Sequence, residues 1–462
     1  MDHNSDTIAA IATPLGNAGI GIIRISGEDA IKIADKVIRS RSGKSLDLFS
    51  VLTHTVHYGY VMDEEEVIDE VLCTVLKAPR SYTAEDTVEI SCHGGMFVLN
   101  RVLSIIISHG ARPAREGEFT ERAFLNGRID LSQAESVMDI ISSENEFSRK
   151  NSLSQLRGSV YEKITELREK ILHESAFIEA ALDDPEHYEI NSDHKEQLKT
   201  VISGIREELN NILKDAENIR FLRNGINTVI IGKPNAGKSS LLNLFAGYDK
   251  AIVTSVPGTT RDAVEEKISL DGLILNIIDT AGIRESSDEV EKIGIKKAKE
   301  YMDRADLIIY LVDSSTAIDE DDKKIMKEIR GKTYITVLNK TDLKNKTDTD
   351  FIKKETGQDI IEVSVKENTG IDKLTEKIRS LFIKGDLLDS NRLFVTNKRQ
   401  LSLLQKASDS LSFVYDSINN GLSEDLYTVD MMDAYASLGS IIGEDISDDL
   451  ADRIFSEFCM GK

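Results

Sequence analysis

The spacing of apolar positions changes three times along the chain, and each change predicts a different kind of element. Residues 1–125 read as mixed α/β. Gly19-Ile20-Gly21-Ile22-Ile23-Arg24-Ile25-Ser26-Gly27 is an apolar strand bounded by glycines, Val71 to Leu76 is a second strand, and Thr87 to Ser91 alternates like a third. His93-Gly94-Gly95 then breaks the chain before a helix predicted over Met96 to Ser108. From 126 to 222 the period is helical. Leu153, Leu156, Val160, Ile164, Leu167 and Ile171 fall three or four residues apart and predict one continuous face. Asp183-Asp184-Pro185 interrupts it, and a second face follows through Leu198, Ile202, Ile205, Leu209, Ile212 and Ile219.

Residues 223–381 alternate apolar strands with helices, as a parallel sheet requires. Thr228–Ile231, Leu275–Ile278, Leu307–Val312 and Tyr334–Leu338 are the buried-strand candidates. Over 382–462 the helical period returns at Leu401, Leu404, Leu411, Val414 and Ile418. A helical region on each side of the α/β segment predicts that the segment is inserted into a discontinuous helical domain. The expected fold class is therefore multidomain α/β plus α.

Bulk composition narrows this picture. A chain of 462 residues with 40% hydrophobic content holds about three domains. Its longest apolar runs are far shorter than a membrane span, and its N-terminus lacks a basic region followed by an apolar one, so the expectation is a cytoplasmic protein without a membrane partner. Three cysteines, Cys73, Cys92 and Cys459, show no paired spacing, which argues for a reducing compartment. The net charge of -23 excludes a protein that coats nucleic acid non-specifically.

Chemistry concentrates in the α/β segment. Gly232-Lys233-Pro234-Asn235-Ala236-Gly237-Lys238-Ser239 fits the phosphate-loop pattern. Its glycines let backbone N–H groups turn around phosphates, Lys238 adds charge at the β/γ oxygens, and the next helix aims its positive end at them. Ser239 and Thr260 are the candidate Mg²⁺ ligands, and Asp279 stands where a carboxylate orients the metal's water shell. Asp342, in Asn339-Lys340-Thr341-Asp342, can accept from guanine N1–H and the exocyclic amine, a donor pair that adenine lacks, and Lys340 would lie along the base. These motifs predict a Ras-like P-loop G domain that binds and hydrolyses GTP. Candidate nucleotide contacts are Asn235, Ala236, Gly237, Lys238, Ser239 and Ser240 in the loop, then Thr254, Ser255, Val256, Pro257, Gly258, Thr259 and Thr260. Asp279, Thr280, Ala281 and Gly282 follow, then Asn339, Lys340 and Asp342, and finally Ser364, Val365 and Lys366.

The residue after Asp279-Thr280-Ala281-Gly282 is Ile283, where Ras-type enzymes carry a water-orienting glutamine. Two candidates can replace that function. Glu291 can reach the attacking water, or is a solvated charge. Asn235, with oxygens from Thr254, Val256 and Thr259, can hold K⁺ against the phosphates, or it simply braces the loop; a K⁺ there would act as an arginine finger does.

These motifs, the flanking domains and the closing Phe458-Cys459-Met460-Gly461-Lys462 resemble the MnmE (TrmE) family of tRNA modification GTPases over essentially the whole chain. A prenylation reading of Cys459 fails, because Gly461 is not aliphatic and Lys462 suits neither transferase. The resemblance implies an N-terminal α/β folate-binding domain that also forms a homodimer, and K⁺-stimulated hydrolysis when two G domains meet. It implies a complex with the flavoprotein MnmG, which holds FAD, adding an aminomethyl or carboxymethylaminomethyl group to C5 of the wobble uridine of certain tRNAs. The one-carbon unit would come from 5-formyl- or methylene-tetrahydrofolate, and tRNA would be held mainly through the complex. Arg24, Glu89, Arg128 and Lys462 are the implied folate residues: glutamate suits a pterin's N–H groups, and the cations suit folate carboxylates. Cys459 matches the family's cysteine and is a nucleophile, an acid or a structural residue. The competing function is a GTP-dependent ribosome-assembly switch of the Era-like type, although no GXXG RNA-binding module follows the G domain.

Overall fold

The structure is a computed structural model that describes residues 6–143, 145–184, 192–248, 266–270, 273–278, 300–382, 393–458 and 461. It contains two compact units, one made of residues 1–142, 152–207 and 402–462, the other of 143–151 and 208–401.

The first unit carries a seven-stranded sheet. Its strands are β1 (Ile8–Ile11), β2 (Gly21–Ser26), β3 (Ile38–Arg39), β4 (Thr55–Asp63), β5 (Glu66–Leu76), β6 (Thr87–Cys92) and β7 (Arg112–Pro113), in the order β3-β4-β5-β6-β2-β1-β7. Pairings are antiparallel except β1 with β7. Alternation explains its two faces. Ile23, Ile25, Val88, Ile90, Val71, Cys73 and Val75 turn inward against the helices Ala30–Val37 and Met96–Ser108, burying their apolar area there. Arg24, Glu89 and Thr74, which lie side by side across β2, β6 and β5, occupy the alternate positions. The helix 96–108 and the strands 21–26 and 87–92 match the apolar spacing; β5 starts earlier than expected, at Glu66, as half of a hairpin with β4 that the spacing did not reveal. Cys73 and Cys92 are free thiols inside this core, and burial pushes both up to about 12, with nearby carboxylates adding to it.

The same unit contains the helices Glu118–Leu125, Leu131–Ile141, Ser159–Asp183, Glu424–Ile442 and Asp448–Phe455. The face expected to run unbroken from Leu153 to Ile171 is divided. One helix ends at Leu156 and the next starts at Ser159, because Gly158 takes φ 98°, a left-handed conformation that stops the first. In the shorter helix Ser152 and Gln155 are buried, while Leu153 and Leu156 are half-buried. Helix 159–183 packs on helix 424–442, where the Arg168 guanidinium lies 4.0 Å from the Tyr435 ring centre. Pro185 lies outside the described residues.

The second unit is built on a six-stranded sheet of order β13-β12-β11-β8-β10-β9. Its strands are β8 (Ile226–Ile231), β9 (Glu266–Leu270), β10 (Leu273–Ile278), β11 (Leu307–Asp313), β12 (Tyr334–Asn339) and β13 (Ile360–Glu362). All neighbours run parallel except β9 and β10. Every residue of β10, β11 and β12 is buried, which is why these strands read as continuous apolar runs. Lys238–Tyr248, Glu320–Glu328, Thr349–Thr356 and Ile371–Phe382 are helices of this unit. No helix among the described residues is long and apolar enough to cross a membrane.

Candidate functional site

Parallel strands bring their carboxyl ends to one edge of the sheet, and ligands of open α/β sheets bind there. The expected motifs leave from that edge: the phosphate loop after β8, Asn339 to Asp342 at the end of β12, and Ser364 to Lys366 after β13.

The phosphate loop is folded through backbone that side chains disfavour. Gly232, Asn235 and Gly237 have φ of 153°, 66° and 101°. A Cβ on Gly237 would lie 2.3 Å from Asn339 Nδ2, and one on Gly232 2.3 Å from the Leu311 carbonyl oxygen. The two glycines therefore serve close approach as well as the turn. Lys238 Nζ donates to the carbonyls of Gly232 at 2.7 Å and Lys233 at 2.9 Å, so its ammonium spans the loop it belongs to. Ala236 is buried, whereas Asn235, Ser239 and Ser240 are exposed, the last two in the first turn of helix 238–248.

Asn339 is 2% exposed and ties the site together. Its Nδ2 donates to the Ala236 carbonyl at 2.8 Å, and its Oδ1 accepts from Val365 N–H at 3.2 Å. Asp342 Oδ1 accepts from Ser364 Oγ at 2.7 Å, which aims the carboxylate. Lys340, at φ 63°, pairs through Nζ with Asp313 Oδ2 at 2.6 Å, and its carbonyl accepts from Ser314 Oγ at 2.7 Å. Burial pushes the Asp313 carboxyl up, but the Lys340 ammonium and the Ser315 donors outweigh it and hold the group below its usual range. Asp313 was not among the expected residues; its place as the last residue of a buried strand was the available signal. Val365 is half-buried and Lys366 exposed beside these groups.

Thr254, Ser255, Val256, Pro257, Gly258, Thr259, Thr260, Asp279, Thr280, Ala281, Gly282 and Glu291 lie outside the described residues, as do Cys459 and Lys462. Among the described residues no three His, Cys, Asp or Glu side chains form a metal-binding group.

A second cluster forms on the sheet of the first unit. Arg24 donates from Nε and Nη2 to Glu89 Oε1 at 3.0 and 2.8 Å, and from Nη1 to the Gly461 carbonyl at 3.1 Å. The guanidinium stands 5.2 Å from the Tyr82 ring centre and 5.5 Å from that of Phe119, and Arg128 stands 5.0 Å from Tyr82 on its own account. Arg128 Nη1 also donates to the Tyr82 carbonyl at 2.9 Å. Two of the four expected folate residues, Arg24 and Arg128, thus flank Tyr82, an aromatic residue that the sequence reading passed over, and a third, Glu89, is paired to Arg24. The chain end reaches them because Phe455 and Phe458 are buried with Ala123, Ile129, Leu131 and Ala134. Gly461, at φ 85°, then fits where a Cβ would lie 2.6 Å from the Ile11 carbonyl.

A family model described as the MnmE helical domain matches residues 131–459, and one described as the GTP-binding protein TrmE N-terminus matches residues 7–128. A protein of Lachnoclostridium phytofermentans named tRNA modification GTPase MnmE is 49% identical over 458 residues, covering 99% of this chain and 100% of its own. Proteins of the same name from Lactobacillus helveticus and Lactobacillus acidophilus are 46% and 45% identical over 459 residues, each covering 99% of this chain and 98% of its own.

Proposed function

The chain belongs to the MnmE (TrmE) family of tRNA modification GTPases, and from that premise we propose that it is a homodimeric, K⁺-stimulated GTP hydrolase acting at the wobble uridine. It works with a flavoprotein of the MnmG kind, which holds FAD, and installs aminomethyl or carboxymethylaminomethyl groups at C5 of that base in certain tRNAs in the cytoplasm. The full-length likeness to tRNA modification GTPases favours this over the ribosome-assembly alternative.

The observation that carries the nucleotide part is the linkage through Asn339, which joins the phosphate loop to the Ser364–Lys366 loop and leaves Asp342 aimed by Ser364. A carboxylate held in this way accepts guanine's donor pair, and ATP would leave it unsatisfied. Lys238 and the N–H groups of the loop bind the phosphates, and Ser239 and Thr260 would hold Mg²⁺, which would supply positive charge to them. Asn235, Thr254, Val256 and Thr259 would hold K⁺, which supplies positive charge where the transition state gains negative charge. Glu291 orients the attacking water. The remaining nucleotide contacts are those of the Thr254–Thr260, Asp279–Gly282 and Ser364–Lys366 segments. We place the G domain at 223–381, inserted between helical parts at 126–222 and 382–462, with the folate-binding and dimerising domain at 1–125. The unit formed by 208–401 together with 143–151 supports that division.

Arg24 and Arg128 beside the half-buried Tyr82 ring, with Glu89 paired to Arg24, bring together an aromatic ring, two cations and an acceptor, a set that fits a pterin bearing carboxylates. Folate supplies the one-carbon unit when bound. Lys462 would complete the charge for its carboxylates, and Cys459 would act on the uridine or the one-carbon unit. Homodimerisation is supported by the apolar outer face of the first unit's sheet, where Val56, Tyr58 and Leu72 are 59%, 49% and 48% exposed. Nucleoside analysis of tRNA from a strain lacking this chain tests the proposal: loss of the C5 modification is expected, and an unchanged wobble-uridine profile rejects it.

A further inference from the structure

Lys233 stands second in the phosphate-loop pattern, where any residue is allowed. Its side chain nevertheless leaves the loop for another element. Nζ lies 2.9 Å from Asp319 Oδ2 and 2.7 Å from Asp322 Oδ2. Asp322 is 2% exposed; its Oδ1 accepts from the buried Tyr310 hydroxyl of β11 at 3.0 Å, and its Oδ2 from Asp319 N–H at 3.1 Å. Asp319 in turn caps helix 320–328, accepting from the N–H groups of Asp321 and Asp322. The cation is therefore fixed by a carboxylate that is itself held by a strand and a helix start.

The main chain of the same residue serves the ligand side. Its carbonyl accepts from Lys238 Nζ at 2.9 Å, beside the Gly232 carbonyl at 2.7 Å. Gly232 and Gly237 have positive φ, which glycine adopts as readily as other conformations, so these two residues impose little preference of their own on the loop's course. An exposed ion pair would contribute little to holding it. This one is different, because losing Lys233 leaves the buried Asp322 carboxylate without its cation, held only by the Tyr310 hydroxyl and the Asp319 N–H.

We propose that Lys233 is a positioning residue: its ion pair with Asp319 and Asp322 anchors the first turn of the phosphate loop and so sets where Lys238 meets the nucleotide phosphates. The inference rests on the guanine-nucleotide reading above. It is tested on the full chain by calorimetric titration with GDP and ADP, alongside thermal melting. Lys233→Met raises the Kd for GDP about tenfold, since small misplacements of binding groups are costly. Lys233→Arg keeps the charge and stays within about twofold of wild type. Asp319→Asn still caps the helix. Combined with Lys233→Met it weakens binding no further than Lys233→Met alone, because both changes remove one shared interaction. Unchanged GDP affinity in Lys233→Met, even with a lowered melting temperature, overturns the proposal, and so do fully additive losses in the double variant. If wild type takes ADP as readily as GDP, the nucleotide reading fails and this inference falls with it; if wild type selects GDP and Lys233→Met does too at full affinity, only the inference fails.

Discussion

The two sheets of this protein place functional groups in opposite ways. In the second unit, the carboxyl ends of β8, β11 and β12 deliver the phosphate loop, Asp313 and Asn339 to one edge, and the linking contacts run between loop carbonyls and the side chains of Asn339, Lys340 and Asp313. In the first unit, Arg24 and Glu89 stand on the face of an antiparallel sheet, paired across β2 and β6, and the surrounding groups come from Tyr82, Phe119, Arg128 and the chain end at Gly461. A parallel edge tolerates almost no change in its glycines, because backbone itself lines the site. An antiparallel face presents side chains, so its chemistry can be altered with the backbone left as it is.

The largest effect expected from this contrast is at Gly237. Gly237→Ala would set a Cβ 2.3 Å from the buried Asn339 amide at φ 101°, where strain is unavoidable. Loss of GDP binding by more than roughly a hundredfold is expected by titration, since the loop's N–H groups would leave their positions. Near-normal binding would break the claim that backbone lines this edge. Next comes Asp342→Asn. An amide in place of the carboxylate removes one acceptor from guanine and presents a donor, which suits xanthine with its carbonyl at C2. GDP affinity should fall roughly tenfold to a hundredfold while xanthosine diphosphate gains. Equal losses for both nucleotides would mean that Asp342 does not read the base. The smallest change is at the sheet face. Glu89→Gln keeps an acceptor for Arg24, so GTP turnover should be unaltered while binding of 5-formyltetrahydrofolate weakens about tenfold. Unchanged folate binding would return the cluster to a plain ion pair stacked on aromatic rings.

Legibility followed the same contrast. The G-domain motifs lie within short stretches, each just after an apolar strand, so residue order alone brought out Lys238, Asn339 and Asp342 as candidates. What stayed hidden was the bracing: Asp313 under Lys340, and Asp322 under Lys233, both joined across 27 or more positions of chain or through an element the spacing did not mark. In the first unit, β4 alternates only weakly because its outer face is apolar too, with Val56 and Tyr58 exposed. The strand was missed for that reason. The helix break at Gly158 was missed because apolar spacing continues across it, although Leu153 and Leu156 are only half-buried. Tyr82 gave no signal in its own neighbourhood, because its partners Arg24 and Arg128 lie far away in sequence.

The most direct test is GTP turnover by the purified full-length chain in potassium and in sodium at equal ionic strength, with ATP as the competing substrate. Faster hydrolysis in potassium is expected, with negligible ATP cleavage, and with loss of the potassium advantage in Asn235→Ala while nucleotide binding is largely kept. Equal rates in the two salts, or a preference for ATP, would contradict it.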